Sequence, residues 1–324
     1  MQYFLNYVLG VKQKPNFKTE KGSIVHKGLE LLARRKVCEQ NSEPGFHEPE
    51  LDKYFLASEL DVENSIKYAW NHYTLKNESK HNWSDVEFKE CLGWTKDVIE
   101  MNDGMFSPLN RKVIAPEQYF DIEIREPWAY YDYLDPISEE RITGYLAIKG
   151  TIDLLTEVNS DTLEYLDWKS GKPYWDWAND KEKTYYDLAN DPQLLIYFYA
   201  LNNLFPQYRT KAVTIFYAQA KSPTTICFGK EDLTKTLEMI KKRFLQIKNN
   251  IKPARIIDNP AKKWKCKSFC PHFKKTMENG QNECDFYHTQ LQKLGMEKVV
   301  KKYGSHSMMH YQDGGGRSNK EGSK

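Results

Sequence analysis

Between Gly150 and Tyr197 the chain carries three short runs, GTIDLL, LDWKSGK and DPQLLIYFYAL, that hold acids, a lysine and polar groups at set spacings. Asp153 lies in an apolar run of strand character, and Asp167 and Lys169 fall two apart in a second such run. Strand residues i and i+2 project from one face, so the Asp167 carboxylate and the Lys169 ammonium point into one space. The polar break from Val158 to Leu163 suggests a hairpin, which would lay Asp153 opposite them. Two carboxylates suit Mg2+ or Mn2+, and a lysine beside them can orient or deprotonate a water. The chemistry in outline is hydrolysis. The bland alternative is a structural Asp–Lys ion pair on a sheet.

The elements that must position these groups are read along the chain. Met1 to Gly10 has the pattern of a helix, with Tyr3, Phe4, Tyr7 and Val8 on one face. Gly22 to Arg35 reads as an amphipathic helix opened by Ser23, with His26 in its first turn. By itself His26 reads as a packing or capping histidine. Pro44 to Gly104 reads as helical, clearest from Leu60 to Leu75 and from Trp83 to Met101. Cys38 and Cys91 lack ligand-like spacing and read as packing residues. Arg111 to Arg125 alternates apolar and polar positions as a strand does. The aromatic, charged segment after Gly171 reads as a surface loop over the site.

Asp191-Pro192 then opens a helix in which Gln193 and Tyr197 share a face. The plain reading of that pair is ordinary helix surface and core. Ala212 to Ala218 and Thr225 to Phe228 read as strands. From Leu233 to Ile251 apolar residues recur every three or four positions, so the other face of that helix is basic. From Lys230 to Lys275 there are 14 Lys/Arg against 4 acids, in a chain whose net charge is +2. A local block of that size favours a polyanionic partner, unless it is a solvated lysine-rich face. Aromatics at 14%, with 21 Tyr and 8 Trp, could also stack bases. No apolar run approaches the ~20 residues of a membrane helix, which predicts a soluble, intracellular and cytoplasmic protein. The tail from Asp313 has nothing to bury.

Gly22-x-x-x-His26-x-x-Leu29-Glu30, Gly150-x-x-Asp153, Asp167-Trp168-Lys169-x-Gly171-Lys172 and Gln193-x-x-x-Tyr197, in this order, resemble the RecB-like branch of the PD-(D/E)xK nuclease superfamily. The resemblance spans roughly Met1 to Cys284. It implies an α/β fold: a central mixed sheet flanked by helices, the restriction-endonuclease-like core, with a helical N-terminal region and a Cys-rich C-terminal segment. It divides the chain into 1–110 with the histidine motif, 111–255 as nuclease core, 256–290 as a basic metal-binding segment, and 291–324 as an extension. Asp153, Asp167 and Lys169 become catalytic, and His26, Asp153, Asp167 and the Trp168 main-chain carbonyl become ligands of Mg2+ or Mn2+. Gln193 and Tyr197 line the DNA channel. Glu117 or Glu30 supplies a further carboxylate.

Cys266-x3-Cys270-x13-Cys284 sits among lysines whose field favours thiolate. By resemblance to the CRISPR-associated RecB-like and AddB-type nucleases, these three late cysteines bind an iron-sulfur cluster that ties the C-terminus to the N-terminal helix. The early fourth cysteine of that pattern falls just before Met1. Either the chain begins at an internal methionine or the site differs, with Cys38, His272 or His288 as fourth ligand and zinc as the alternative metal. The function implied is a divalent-metal-dependent DNA nuclease, an exonuclease acting on ends or single strands in recombination, repair or processing, with a helicase or recombination partner and no membrane. The alternatives from other classes are a non-catalytic DNA-binding component of such a complex and a zinc-stabilised interaction module.

Overall fold

The computed structural model describes residues 4–11, 15–135, 138–171, 175–176, 181–249, 255, 258 and 263–304. The chain forms two compact units, residues 14–122 with 148–239 and residues 1–13 with 123–147 and 240–324. No helix among the described residues is long and apolar enough to cross a membrane.

Helix α1 (Phe17–Asn41) opens the first unit. Its N-cap is Asn16, whose side chain accepts from the Thr19 N–H at 3.1 Å, rather than the Ser23 expected from sequence. A cap of this type is worth roughly 1 kcal/mol, and it carries the helix back over a stretch with few apolar residues. His26 consequently stands well inside the helix instead of in its first turn.

A hairpin of β1 (Gly45–Glu48) and β2 (Lys53–Leu56) follows, pairing Gly45 with Leu56. It interrupts a region read as helical, because four-residue strands are too short for period-2 alternation to stand out. Helices α2 (Val62–Lys76) and α3 (Asp85–Gly104) then take the expected places, capped by Asp61 and by a Ser84–Glu87 capping box.

Strand β3 (Lys112–Glu123) leads to the separate hairpin of β4 (Tyr130–Leu134) and β5 (Arg141–Tyr145). Strands β6 (Ala147–Asn159) and β7 (Thr162–Lys169) make the antiparallel hairpin expected from sequence, with Leu154 opposite Leu166. Two-residue strands β8 (Trp175–Asp176) and β9 (Lys181–Glu182) lie in the aromatic segment, of which 172–174 and 177–180 fall outside the described residues. Helix α4 (Tyr185–Ala189) precedes α5 (Pro192–Leu204), which is capped by Asp191 with Pro192 at its first position, as expected. Strands β10 (Thr210–Tyr217) and β11 (Ser222–Phe228) and helix α6 (Lys230–Lys248) complete this part of the chain.

The main sheet runs β11-β10-β7-β6-β3; β10 is parallel to β7 and antiparallel to β11, so the sheet is mixed. Both faces of its centre are buried, which explains the near-continuous apolar run of β10 and why even Glu164 and Asp167 of β7 are buried. On one face Leu155, Leu163, Tyr165 and Ile215 pack under Leu194, Phe198 and Leu201 of α5. On the other, Leu154, Leu166, Trp168 and Phe216 pack under Ile24, Val25 and Leu29 of α1. Each fully buried aliphatic side chain of this kind contributes roughly 1.5–3 kcal/mol. The strand ends are thereby gripped between two helices.

The second unit brings together segments from early and late in the sequence. Helices α7 (Lys263–Phe269), α8 (Pro271–Lys274), α9 (Glu283–Leu294) and α10 (Met296–Tyr303) follow one another. Phe4, Leu5 and Leu9 bury themselves against Val299 and Val300, with Tyr287 and Leu291 alongside. The N-terminal stretch read as a helix from Met1 to Gly10 is a π-helical turn, Phe4–Val8. Tertiary contact with α9 and α10 stabilises a conformation that local propensity rarely holds.

Candidate active site

Asp153 and Asp167 lie just beyond Leu154–Leu166, the last pair of the β6–β7 ladder, and Asp167 acts on the Asp153 carboxyl. The Trp168 N–H donates to Asp153 Oδ2 at 3.0 Å. Lys169 Nζ donates to Asp167 Oδ1 at 2.9 Å and lies 2.8 Å from Oδ2. His26 reaches in from α1, its Nδ1 3.4 Å from Asp153 Oδ2, and its ring meets the Trp168 main chain. Gln193 Nε2 donates to the Tyr197 hydroxyl at 2.9 Å on α5. Tyr197 packs edge-on against Tyr165, and its hydroxyl is pushed up by burial, with Asp167 and Asp153 adding to the shift. Seven sequence-selected residues, His26, Asp153, Asp167, Trp168, Lys169, Gln193 and Tyr197, thus converge on the end of one hairpin.

Two of the motif glycines have a steric reason. A Cβ on Gly150 would stand 2.6 Å from the Phe120 ring, so β6 approaches β3 closely only with glycine there. A Cβ on Gly22 would stand 2.9 Å from Ser170 Oγ, so α1 sits tight against the end of β7. These close approaches bring His26 to the carboxylates.

The electrostatics favour a cation. Burial pushes Asp153 well above the ordinary carboxylate range, and the charge of Asp167 adds to this while Lys169 opposes it. Burial lowers His26, leaving a neutral imidazole with its side chain 28% exposed. Asp167 Oδ2 is buried without an aligned hydrogen-bond donor. Among the described residues no three such side chains are already drawn into one ligand sphere. Protein donors, the Trp168 N–H and Lys169, hold the carboxylates instead. The set of carboxylate oxygens and a neutral imidazole nitrogen nonetheless fits Mg2+ or Mn2+.

Glu117 and Glu30, both open in the sequence, have different surroundings. Glu30 is ion-paired with Lys27 and with Arg34 at 2.8 Å. Glu117 instead feels Asp153 and His26 directly. Burial, followed by the charges of Glu30 and Asp153, pushes it up to about 7. It follows Pro116 in β3 and holds a left-handed φ of 49°, a conformation that costs roughly 1–3 kcal/mol for a non-glycine residue. Nothing in the spacing of the sequence signals that turn.

In the cysteine segment Cys266 and Cys284 are buried and Cys270 half-buried, none of them in a disulfide. Burial pushes the Cys284 thiol up to about 11, outweighing the nearby Arg255 guanidinium. At Cys284, desolvation therefore outweighs the nearby positive charge. His272 is fully buried, with Glu283 Oε2 and Asn6 Oδ1 each 2.6 Å from one of its ring nitrogens. Cys38 lies in the other unit, with Glu43 as its partner. His288 remains, one turn after Cys284 on α9 and kept neutral by burial. The thiols do not form a ready ligand set for a cluster among the described residues.

Residues 1–290 match the family model of the PD-(D/E)XK nuclease superfamily, and the chain belongs to that superfamily. Membership carries with it metal-dependent hydrolysis of phosphodiester bonds, typically with Mg2+ or Mn2+. No curated relative matches the chain.

Proposed function

We propose that this protein is a DNA exonuclease of the RecB-like branch, acting inside the cell on ends or single strands during recombination, repair or processing, alongside a helicase or recombination partner. The observation that carries this reading is the closeness of Asp153 and Asp167 at the end of the β6–β7 hairpin, where Asp167 raises the Asp153 carboxyl, with Lys169 on Asp167 and His26 Nδ1 3.4 Å from Asp153. His26, Asp153, Asp167 and the Trp168 carbonyl would hold Mg2+ or Mn2+. When bound, the cation supplies charge neutralisation at the phosphate and activation of water. Lys169 stabilises negative charge growing on the phosphate and orients the attacking water. Gln193 and Tyr197 position the strand beside the site, and Glu117 sets the local charge.

On this reading residues 1–110 bring His26, 111–255 the catalytic strands, 256–290 a basic cysteine-rich segment, and 291–324 an extension. The cysteine pattern alone supports an iron-sulfur cluster, or zinc, on Cys266, Cys270 and Cys284. Iron and zinc content after anaerobic purification tests it, and a metal-free protein rejects both.

Incubation of linear and circular DNA, single- and double-stranded, with Mg2+, Mn2+ or chelator tests the activity. Cleavage of linear substrates with either cation, none with chelator and none by Lys169→Ala is expected. A wild type that cuts no better than Lys169→Ala would overturn the enzyme reading.

A further inference from the structure

Immediately beyond Lys169 the molecule opens a second feature that the hydrolytic chemistry does not use. Ser170 and Gly171, the next two residues, form one wall of a cleft of ≈ 790 Å³. The first turns of α1 form another wall, held there by the close approach of Gly22 to Ser170. Trp94 of α3 and Gln219, after β10, close the remaining sides. We infer that this cleft holds one unpaired nucleotide of the strand being cut, next to the scissile phosphate, an inference that rests on the nuclease reading above.

The chemistry of the lining selects such a ligand. The Lys21 ammonium sits 4.9 Å from the Phe17 ring centroid and 4.7 Å from that of Trp94, in a largely buried position. A cation between aromatic rings is poorly hydrated and gains from an anion brought to it. Its carboxylate partner, Glu90, has a side chain 46% exposed and is free to swing aside. Lys18 is exposed at the rim, where it can meet a backbone phosphate with the Ser170 hydroxyl. Trp94 offers an apolar edge and Gln219 an amide able to meet a base edge. The volume is that of a site for one small ligand, within the range of roughly 300–1,000 Å³. A base-paired duplex is too wide to enter, so a strand reaches the cleft only when its bases are unpaired.

Glu90 therefore acts as a placeholder for the incoming phosphate. The test uses the full-length protein with a short fluorescein-labelled single-stranded oligonucleotide, bound in EDTA and cleaved in Mn2+. Lys18→Glu and Glu90→Gln change exposed side chains, and matching thermal melts confirm that both variants fold. Lys18→Glu is expected to raise Kd about tenfold, with the loss falling on KM rather than kcat, and Glu90→Gln to lower Kd about threefold. Binding of a blunt duplex of the same sequence should move less than about twofold in either variant. A wild type that cleaves, with neither variant shifting Kd or KM, overturns the nucleotide cleft and leaves the nuclease reading intact. Equal shifts for duplex and single strand also overturn it. A wild type that cuts nothing, with both variants shifting single-strand binding as stated, removes the nuclease reading and leaves the cleft standing.

Discussion

Two clusters of buried charge adjoin α1, and they are built on different plans. In the first, Glu30, Glu48 and Glu50 surround Lys27 and Arg34. Lys27 meets Glu48 at 3.3 Å and Glu50 at 2.9 Å, and Arg34 meets Glu30 at 2.8 Å and Glu48 at 3.0 Å. Glu50 also accepts from the Tyr73 hydroxyl at 2.9 Å, and Lys27 helps hold its carboxyl below the ordinary range against burial. In the second, Asp153, Asp167 and Glu117 share one lysine and a histidine that burial keeps neutral, and burial and mutual repulsion raise both Asp153 and Glu117. Protein cations come close to matching the first cluster, two against three carboxylates, and leave the second with one lysine against three. The better-matched cluster fixes α1 against the β1–β2 hairpin, whereas the other is left with more uncompensated carboxylate. Glu117 is shifted by members of both, Glu30 and Asp153, and so links the two.

The largest effect that separates them is on cleavage. Asp167→Asn should lower kcat/KM by about a thousandfold while DNA binding in EDTA stays within about threefold; Glu50→Gln should change kcat/KM by less than about threefold. Comparable losses in single-turnover assays of the two variants would break the distinction. Stability should separate them in the reverse sense. Lys27→Met leaves buried glutamates uncompensated and should cost about 3–5 kcal/mol in urea unfolding. Asp153→Asn removes a like charge and should stabilise the cation-free protein by about 1 kcal/mol.

The pH dependence sharpens the same contrast. Glu117, pushed up to about 7, lies above its ordinary 4.5, so the folded state holds the proton more tightly than the unfolded chain. Its contribution to stability is full below about pH 4.5 and is lost as pH rises through about 7. In EDTA the Tm should therefore fall between about pH 5 and about pH 8, and Glu117→Gln should flatten that fall. Added Mn2+ should raise Tm more at the upper end of this range, where the carboxylates are ionised. An equal Mn2+ effect across the range would remove Glu117 from the cation's surroundings. The smallest effect expected is Gln193→Ala, which deletes the bond to Tyr197 and should cost about three- to tenfold in kcat/KM.

Much of this was legible in the sequence because it depends on local rules. Period-2 projection put Asp167 and Lys169 on one side of a strand, the polar break between the strands foretold the hairpin, and Asp191-Pro192 foretold the start of α5. The ordered motifs were enough to place the chain in its superfamily. What the sequence left open depends on contacts between distant segments. By itself His26 read as a packing or capping residue and only the resemblance made it a ligand; its approach to Asp153 depends on α1 packing against Ser170 through Gly22. Glu117 and Glu30 could not be told apart, since their surroundings differ through Lys27 and Arg34 claiming Glu30 and through a positive φ after Pro116. The β1–β2 hairpin is too short to announce itself, and the π-turn at Phe4–Val8 exists because α9 and α10 pack against it. The sequence by itself determined which residue types stand at which strand and helix positions, because side-chain projection follows from backbone period. Tertiary structure decided which charges are more nearly matched and which are left short, because desolvation and ion pairing are set by neighbours far away in the chain.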